Sequence, residues 1–133
     1  MSMGVLSVTP IGTELLDRAD ADPALVAESL RNIARANRWF GGAAAVRYGL
    51  DRTLKHVQPG STVSLLDLGS GLGDLPRAAA RWGASRGIRV EPIGLELNRS
   101  AAALSRAGGL PTAVACAGVP PISDKGADIV LVI

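Results

Sequence analysis

The hydrophobic positions in the first part of the chain follow a helical period. Between residues 23 and 37 apolar side chains recur on one helix face, and Asp22 is placed to cap that helix. The pair Gly41-Gly42 interrupts the pattern, which then resumes over residues 43–57. The sequence therefore predicts two amphipathic helices near the N-terminus. Residues 1–12 show no strong period and are predicted to be a flexible or loosely packed lead-in, to which no function is assigned.

Beyond Gly60 the pattern changes to short apolar runs that alternate with helical stretches. Residues 62–68 form a nearly continuous apolar run rich in strand formers, which is typical of a strand buried on both faces. The later segments are predicted as helices at 74–85 and 99–107 and as strands at 88–95, 112–116 and 127–133. The order βαβαββ, with a loop at residues 117–126, predicts an α/β fold with a parallel sheet. Because proline cannot donate to a ladder, we expect the second strand to begin effectively at Ile93, after Pro92.

Composition and charge limit the classes of function. A chain of 133 residues is long enough for one core, and a hydrophobic fraction of 47% with 20% charged residues is typical of a globular chain. Lys and Arg outnumber Asp and Glu by only 14 to 12, so a nucleic-acid partner is not expected, and an RNA substrate stays a minor alternative. The basic residues of the N-terminal region are scattered and are predicted to lie on solvated helix faces. They are Arg31, Arg35, Arg38, Arg47, Arg52 and Lys55.

Cysteine and histidine are too few to build a metal centre or a disulfide. Cys116 is the single cysteine and His56 the single histidine, which excludes an intrachain disulfide and a Cys/His metal cluster. Cys116 is predicted to be a small core residue rather than a nucleophile, and His56 a surface residue at a helix end. No apolar run approaches the ~20 residues needed to span a bilayer, and the N-terminus lacks a secretory leader pattern. We therefore expect a cytoplasmic protein without a membrane partner.

The most informative stretch, residues 64–74, is a predicted strand that runs directly into three alternating glycines and then a helix. Glycine permits a tight turn and close approach of a ligand to the backbone, and the helix N-terminus offers unpaired N–H groups. The spacing GxGxG differs from the dinucleotide pattern GxGxxG, and Asp74, the predicted helix cap, disfavours a pyrophosphate at that position. Carboxylates and carbonyls can instead hold the ammonium of an amino-acid tail. The balance favours S-adenosylmethionine over NAD.

A second candidate ligand residue is Glu96, which lies 23 residues after Gly73 at the end of the second predicted strand. An acid at the carboxyl edge of the sheet can accept hydrogen bonds from both ribose hydroxyls. Taken alone, Glu96 could equally be a solvated residue at a strand end. Together with the glycine loop, it favours a nucleoside-binding site.

These two segments resemble a known family. Residues 67–73 look like the first motif of class I S-adenosylmethionine-dependent methyltransferases, and Gly94-Leu95-Glu96 looks like their second. The resemblance implies a Rossmann-like parallel sheet with flanking helices. It also implies that Asp67 and the glycine-loop backbone surround the methionine moiety, that Glu96 holds the ribose and that Leu97 lies beside the adenine. The full predicted cofactor-binding set is Asp67, Gly69, Ser70, Gly71, Gly73, Asp74, Glu96, Leu97, Cys116 and Ala117.

The resemblance extends to residues 113–130, where Val119-Pro120-Pro121 and Asp128-Ile129-Val130 fit the family pattern. However, the acid that usually contacts the adenine amino group is missing, because Ala115, Cys116 and Ala117 occupy that region. A backbone N–H near Cys116 or Ala117 is expected to bind the ring instead. The missing hydrogen bond is expected to weaken cofactor binding by ~1–3 kcal/mol.

The N-terminal part also resembles the family. Residues 28–42 look like the helices that precede the Rossmann-like core in a bacterial subgroup. We therefore expect residues 1–60 to form a helical lead-in or lid and residues 61–133 to form the S-adenosylmethionine-binding core, within one structural domain. Two interpretations of Trp39 and Phe40 stay open: part of a lid over the cofactor, or, as we favour, residues that pin the helices onto the sheet.

The resemblance implies an S-adenosylmethionine-dependent methyltransferase, with a small molecule favoured as the methyl acceptor. The family's domain continues after the fourth strand, so we expect this chain to be truncated there and its activity to need residues beyond Ile133. No catalytic residue is assigned. The fourth strand is expected to be an exposed apolar edge that favours self-association. Two alternatives remain: an NAD(P)-dependent oxidoreductase, and a noncatalytic module that pairs this edge with another chain.

Overall fold

The computed structural model describes residues 16, 18 and 20–132, which form an α/β fold. The elements in this part of the chain are α1 (Pro23–Trp39), α2 (Gly42–Thr53), β1 (Thr62–Leu68), α3 (Asp74–Ala84), β2 (Arg89–Glu96), α4 (Arg99–Ala107), β3 (Thr112–Val114) and β4 (Ile129–Val132). The predicted order of helices and strands is confirmed. The predicted lead-in at residues 1–12 lies outside the described residues.

The four described strands form one parallel sheet in the order β3-β2-β1-β4. β1 pairs with β2 over its whole length and with β4 over residues 65–68. This confirms the Rossmann-like parallel sheet. Because the carboxyl ends of parallel strands meet at one edge, the loop after β1 and the last residue of β2 come together there.

The described helices α2, α3 and α4 cover one face of the sheet. Residues of α2 and α3 pack with Val63 and Val90 in the main core. Thr112 pairs in register with Gly94, which is four residues after Val90 and therefore points to the same face. The Thr112 hydroxyl donates to Ser105 Oγ of α4 at 2.9 Å, which places α4 on this face as well. None of the described helices has the length and apolar character needed to cross a membrane.

The opposite face of the sheet, here called the open face, is apolar and exposed. Ile93 and Val130 both pair in register with Leu66, and Val132 follows on the same side of β4. These three side chains are 48%, 52% and 70% exposed, respectively. Parallel sheets are usually covered on both faces, so the open face is a candidate contact surface.

α1 packs separately, over the carboxyl edge of the sheet. Its buried residues Val26 and Leu30 form a second core cluster with Ala101 of α4, against which Leu72 of the glycine loop also packs. The predicted cap is confirmed, because the N–H of Ala24 donates to the Asp22 carboxylate at 2.8 Å. α1 therefore lies against the glycine loop.

Two elements, α2 and β3, end earlier along the chain than predicted. α2 ends at Thr53 rather than at residue 57, because the chain turns at Leu54 and the N–H of Val57 donates to the Leu54 carbonyl at 3.0 Å. His56 consequently lies exposed in this turn, after the helix has ended. β3 ends at Val114 rather than at Cys116, since its partner β2 ends at Glu96.

β4 begins at Ile129, later than predicted, because Asp128 is held by side-chain bonds. Its carboxylate accepts from the N–H and the hydroxyl of Ser64, both at 2.8 Å, and its own N–H donates to the Ser64 hydroxyl at 2.9 Å. These hydrogen bonds from Ser64 hold the pKa of Asp128 below its usual value. Asp128 thus attaches the start of β4 to β1.

The prediction that the second strand starts at Ile93 was wrong, since β2 runs from Arg89 through Pro92 to Glu96. The N–H of Gly94 donates towards β3, to the carbonyl of Pro111, at 2.8 Å. The backbone nitrogen of Pro92, two residues earlier, faces the same side, where β3 has not yet begun. The missing N–H of Pro92 therefore costs no ladder hydrogen bond.

The favoured interpretation of Trp39 and Phe40 was also wrong. These side chains, at the end of α1 and in the turn to α2, are 79% and 89% exposed and do not pin the helices onto the sheet. The following Gly41 adopts a left-handed backbone with φ of 92°, which reverses the chain into α2.

The contact between α2 and α3 rests partly on one carboxylate. The indole N–H of buried Trp82 donates to Asp51 at 2.9 Å, and Arg86 both contacts Asp51 and stacks on the Trp82 ring. We expect Asp51→Ala to lower the free energy of unfolding by about 1–2 kcal/mol, because the indole N–H loses its acceptor. Asp51→Asn keeps a carbonyl acceptor and should lose less in a urea titration. Equal losses in the two variants would contradict this role.

Candidate functional site

A cavity of about 440 Å³ opens beside the glycine loop, below α1. Its volume lies in the range of roughly 300–1,000 Å³ that is usual for small-molecule sites. Residues of α1, of the ends of β1 and β2, and of the loop form its wall. They are Leu16, Leu30, Ile33, Asn37, Asp67, Gly69, Ser70, Gly71, Leu72, Asp74, Leu75 and Glu96.

The glycine loop depends on left-handed backbone at three positions. Gly69, Gly71 and Gly73 have φ of 79°, 51° and 74°, values that other residues adopt only with strain. The N–H groups of Gly69 and Ser70 donate to the carbonyl of Leu95 in β2 at 2.8 and 3.2 Å. A side chain added at Gly69 would meet no atom within 4 Å, so the backbone there is open to a ligand.

Glu96 is buried at the end of β2 and faces the loop. One of its carboxylate oxygens accepts from the N–H of Gly71 and the other from the N–H of Asn98, each at 3.1 Å. An ionised carboxylate has about four acceptor positions, so both oxygens keep capacity for further donors. Glu96 is therefore held in a fixed orientation and can still accept hydrogen bonds from a ligand in the cavity.

Asn98 positions Glu96, and sequence reasoning missed it. The side chain is fully buried, accepts from the N–H of Ala101 at 3.0 Å and donates to the carbonyl of Arg18 at 2.8 Å. It thereby caps α4 and holds the segment before α1. Its place directly before a predicted helix was the available signal, since Asn is a preferred N-cap residue.

Three carboxyl groups, those of Asp67, Asp74 and Glu96, line the same cavity. Burial, followed by the negative charges of Asp74 and Glu96, raises the pKa of Asp67 to about 7. A cation in the cavity would offset both effects. The electrostatics of the site therefore favour a positively charged ligand group.

The prediction that Asp74 caps α3 was wrong. Gly73 occupies the cap position and supplies no side-chain bond, because Asp74 itself already has helical backbone. The Asp74 carboxylate instead accepts from the side-chain amide of Asn37 in α1, at 3.1 Å. This bond, which joins two distant segments, gave no signal in the sequence.

The structure brings six of the ten predicted ligand residues together in the cavity wall: Asp67, Gly69, Ser70, Gly71, Asp74 and Glu96. Gly73 lies outside, packed against Leu110, and Leu97, which is 46% exposed, is not part of the cavity wall. Cys116 and Ala117 are exposed on the loop after β3. The expectation that Cys116 is a core residue was wrong, because β3 ends before it and none of the described elements covers the loop.

Ser70 contributes an unused polar group. Its hydroxyl is buried against Gly94 and has no hydrogen-bond partner among the described residues. Buried hydroxyls are usually bonded, so this one is an exception within the glycine loop. No three His, Cys, Asp or Glu side chains in the described part of the chain are arranged to hold a metal ion.

The close packing of Gly94 against Ser70 predicts a sensitive position. A Cβ at Gly94 would lie 2.4 Å from the Ser70 hydroxyl, so Gly94→Ala should displace the glycine loop and lower the free energy of unfolding by about 1–3 kcal/mol. Gly49→Ala in α2 is the control, since it meets no atom within 4 Å and should stabilise the chain by about 0.5–1 kcal/mol. Thermal unfolding checks both, and an unaffected Gly94→Ala variant would contradict the packing.

No protein-family model and no curated protein matches the sequence. Solved structures do match the fold. A protein from Methanococcus maripaludis assigned as an S-adenosyl-L-methionine-dependent methyltransferase aligns with 93% of this chain and 52% of its own, at 12% identity and a TM-score of 0.58. The plantazolicin methyltransferase BpumL, solved in complex with S-adenosylhomocysteine, aligns with 87% of this chain and 46% of its own, at 16% identity and a TM-score of 0.56.

The chain thus has the Rossmann-like fold of these methyltransferases and spans about half the length of each. At these identities the likeness concerns the fold. Function depends on the residues of the site itself.

Proposed function

We propose that this chain is the cofactor-binding part of an S-adenosylmethionine-dependent methyltransferase. The observation that carries the proposal is the meeting of Glu96 with the glycine loop, where one carboxylate oxygen accepts from the N–H of Gly71 at 3.1 Å inside the cavity. Ribose hydroxyls need a fixed acceptor at this edge of the sheet, and Glu96 provides one. The fold of the methyltransferase structures agrees with this proposal.

The donor set fits the rest of the cofactor. The open backbone at Gly69 allows the methionine moiety to approach the loop, and the carboxyl groups of Asp67 and Asp74 face its positive charges. When bound, S-adenosylmethionine supplies a methyl group on a sulfonium. Asp67 would lose its proton as that cation enters, while Glu96 keeps the ribose in place.

The acceptor is proposed to be a small molecule, and positioning is proposed to supply most of the acceleration. Transfer from a sulfonium requires chiefly that the acceptor atom be held in line with the methyl group. None of the described residues is assigned as a catalytic acid or base. Asn37 of α1 donates a hydrogen bond to Asp74 of α3, and the two side chains form part of the cavity wall. The acceptor is proposed to approach at this part of the wall.

An NAD(P)-dependent oxidoreductase remains the alternative, and charge disfavours it. A pyrophosphate at the start of α3 would face Asp67, Asp74 and Glu96 in one cavity. Like charges within one cavity repel, and the helix N-terminus already has an acid in its first turn.

Isothermal titration calorimetry with S-adenosylhomocysteine and, separately, with NADH tests the proposal. We expect saturable binding of S-adenosylhomocysteine only, and its loss in Gly71→Val, because a Cβ there would lie 3.3 Å from Leu30 and φ is 51°. Saturation by NADH alone would support the oxidoreductase. No binding of either ligand by a folded chain would reject both.

The open face favours a second candidate, a noncatalytic assembly module. Under this hypothesis a second copy pairs with the edge strand β4, whose exposed valines lie on that face. Sedimentation analysis should then show a dimer that Val130→Lys or Val132→Lys converts to a monomer. A stable monomer that binds S-adenosylhomocysteine would argue against this function.

A further inference from the structure

Five arginines line a groove of about 650 Å³ on the outer side of α1. Arg31, Arg35 and Arg38 come from α1, Arg47 from α2 and Arg81 from α3. The sequence suggested scattered basic residues on solvated faces, with an overall net charge of only +2. These side chains are exposed as predicted, but the structure brings most of them together on one concave surface.

The arrangement follows from local structure. The three arginines of α1 have the spacing i, i+4 and i+7, which places them on one helix face. The left-handed turn at Gly41 brings α2 back beside α1, so that Arg47 faces the same groove. Arg81 completes it because α3 packs against α2.

The positive charge of the groove is not neutralised by the described part of the chain. The ion pairs found there are Arg18–Asp20, Arg86–Asp51 and Arg89–Glu91, and none involves an arginine of the groove. The carboxylate in the groove wall is that of Asp74, which is bonded to Asn37. Five guanidinium groups thus face one carboxylate, and an anion would relieve their mutual repulsion.

The groove adjoins the cofactor cavity. Asn37, Leu72 and Asp74 contribute to the walls of both, so the two spaces lie next to each other. Guanidinium groups bind carboxylates and phosphates through paired N–H donors. A molecule anchored in the groove by such a group could present its remaining part to the cavity.

We propose that the arginine groove binds the anionic group, a phosphate or a carboxylate, of the methyl acceptor. The inference rests on the proposed methyltransferase function. A small molecule is favoured over nucleic acid, because the groove has the volume of a small-ligand site and the chain as a whole is nearly neutral in charge.

The test uses phenyl phosphate and benzoate as probes, with binding followed by amide NMR shifts of the whole chain. We expect saturable shifts in α1 and α2, and at least tenfold weaker binding to the double variant Arg35→Gln/Arg38→Gln. The control Arg52→Gln/Arg99→Gln removes the same charge from exposed positions outside the groove and should bind like the wild type. Tighter binding of phenyl phosphate would support a phosphorylated acceptor, and tighter binding of benzoate a carboxylic acid.

Equal weakening in the two double variants, or no saturation by either probe, would overturn the proposal. So would binding of a single-stranded oligonucleotide that depends on Arg35 and Arg38 when neither small anion binds. Titration of the wild type with S-adenosylhomocysteine separates the two levels of inference. If S-adenosylhomocysteine does not bind while arginine-dependent anion binding persists, both the methyltransferase function and the acceptor role of the groove are rejected. If S-adenosylhomocysteine binds but the anions do not, only the acceptor role of the groove is rejected.

Discussion

Glu96→Ala is expected to weaken the binding of S-adenosylhomocysteine by roughly a hundredfold or more. Two ribose hydroxyls would each lose a charge-assisted hydrogen bond worth about 1.5–3 kcal/mol. The variant also removes the acceptor of the Gly71 and Asn98 N–H groups, so the glycine loop loses one of its supports. Calorimetric titration at constant pH measures the effect.

The matched control is Glu91→Ala, which removes an exposed acid from the same strand. The affinity of this variant for S-adenosylhomocysteine should equal that of the wild type. Circular dichroism and thermal unfolding establish that Glu96→Ala is folded at the titration temperature. A folded Glu96→Ala variant with unchanged affinity would show that Glu96 does not contact the ligand.

Binding of S-adenosylmethionine is expected to strengthen with pH between 6 and 8, through the ionisation of Asp67. The raised pKa of about 7 means that most Asp67 is protonated at pH 6, whereas the cationic cofactor favours the ionised form. If only that form binds, the affinity at pH 6 is about tenfold lower than at pH 8. Asp67→Asn should bind S-adenosylmethionine weakly at both pH 6 and pH 8, with an affinity that does not depend on pH. A wild-type affinity that is independent of pH would contradict the role of Asp67.

The same group predicts the pH dependence of stability. Its pKa is higher in the folded chain than the ordinary value of 3.8, so the folded state binds the proton more tightly than the unfolded state does. The stability of the unliganded chain should therefore fall as pH rises from about 4 to about 7. Asp67→Asn should be more stable than the wild type at pH 8, with little difference at pH 4. The opposite order at pH 8 would exclude a destabilising buried charge.

Much of the fold was predictable because strong periodicity and local chemistry agreed. β1 and α4 have the predicted bounds, and the cap at Asp22 formed as expected. The proximity of Glu96 to the glycine loop was also predictable, because both lie at the carboxyl ends of neighbouring parallel strands. These features depend on short-range pattern and on one general rule of sheet geometry.

The remaining features depend on packing between distant segments. Apolar character predicted burial for Trp39, Phe40 and Cys116, but burial also requires a neighbouring element to cover the side chain, and none of the described elements does so. The bond between Asn37 and Asp74 joins residues 37 positions apart. The arginine groove likewise arises only when three helices come together.

The most direct test of the cofactor site is an amide NMR titration of the chain with S-adenosylhomocysteine. We predict saturable shifts at Gly69, Ser70, Gly71 and the residues flanking Glu96, while the amides of β4 remain unchanged. Shifts confined to other regions, or an unchanged spectrum of a folded chain at saturating ligand, would contradict the assignment of this cavity as the cofactor site.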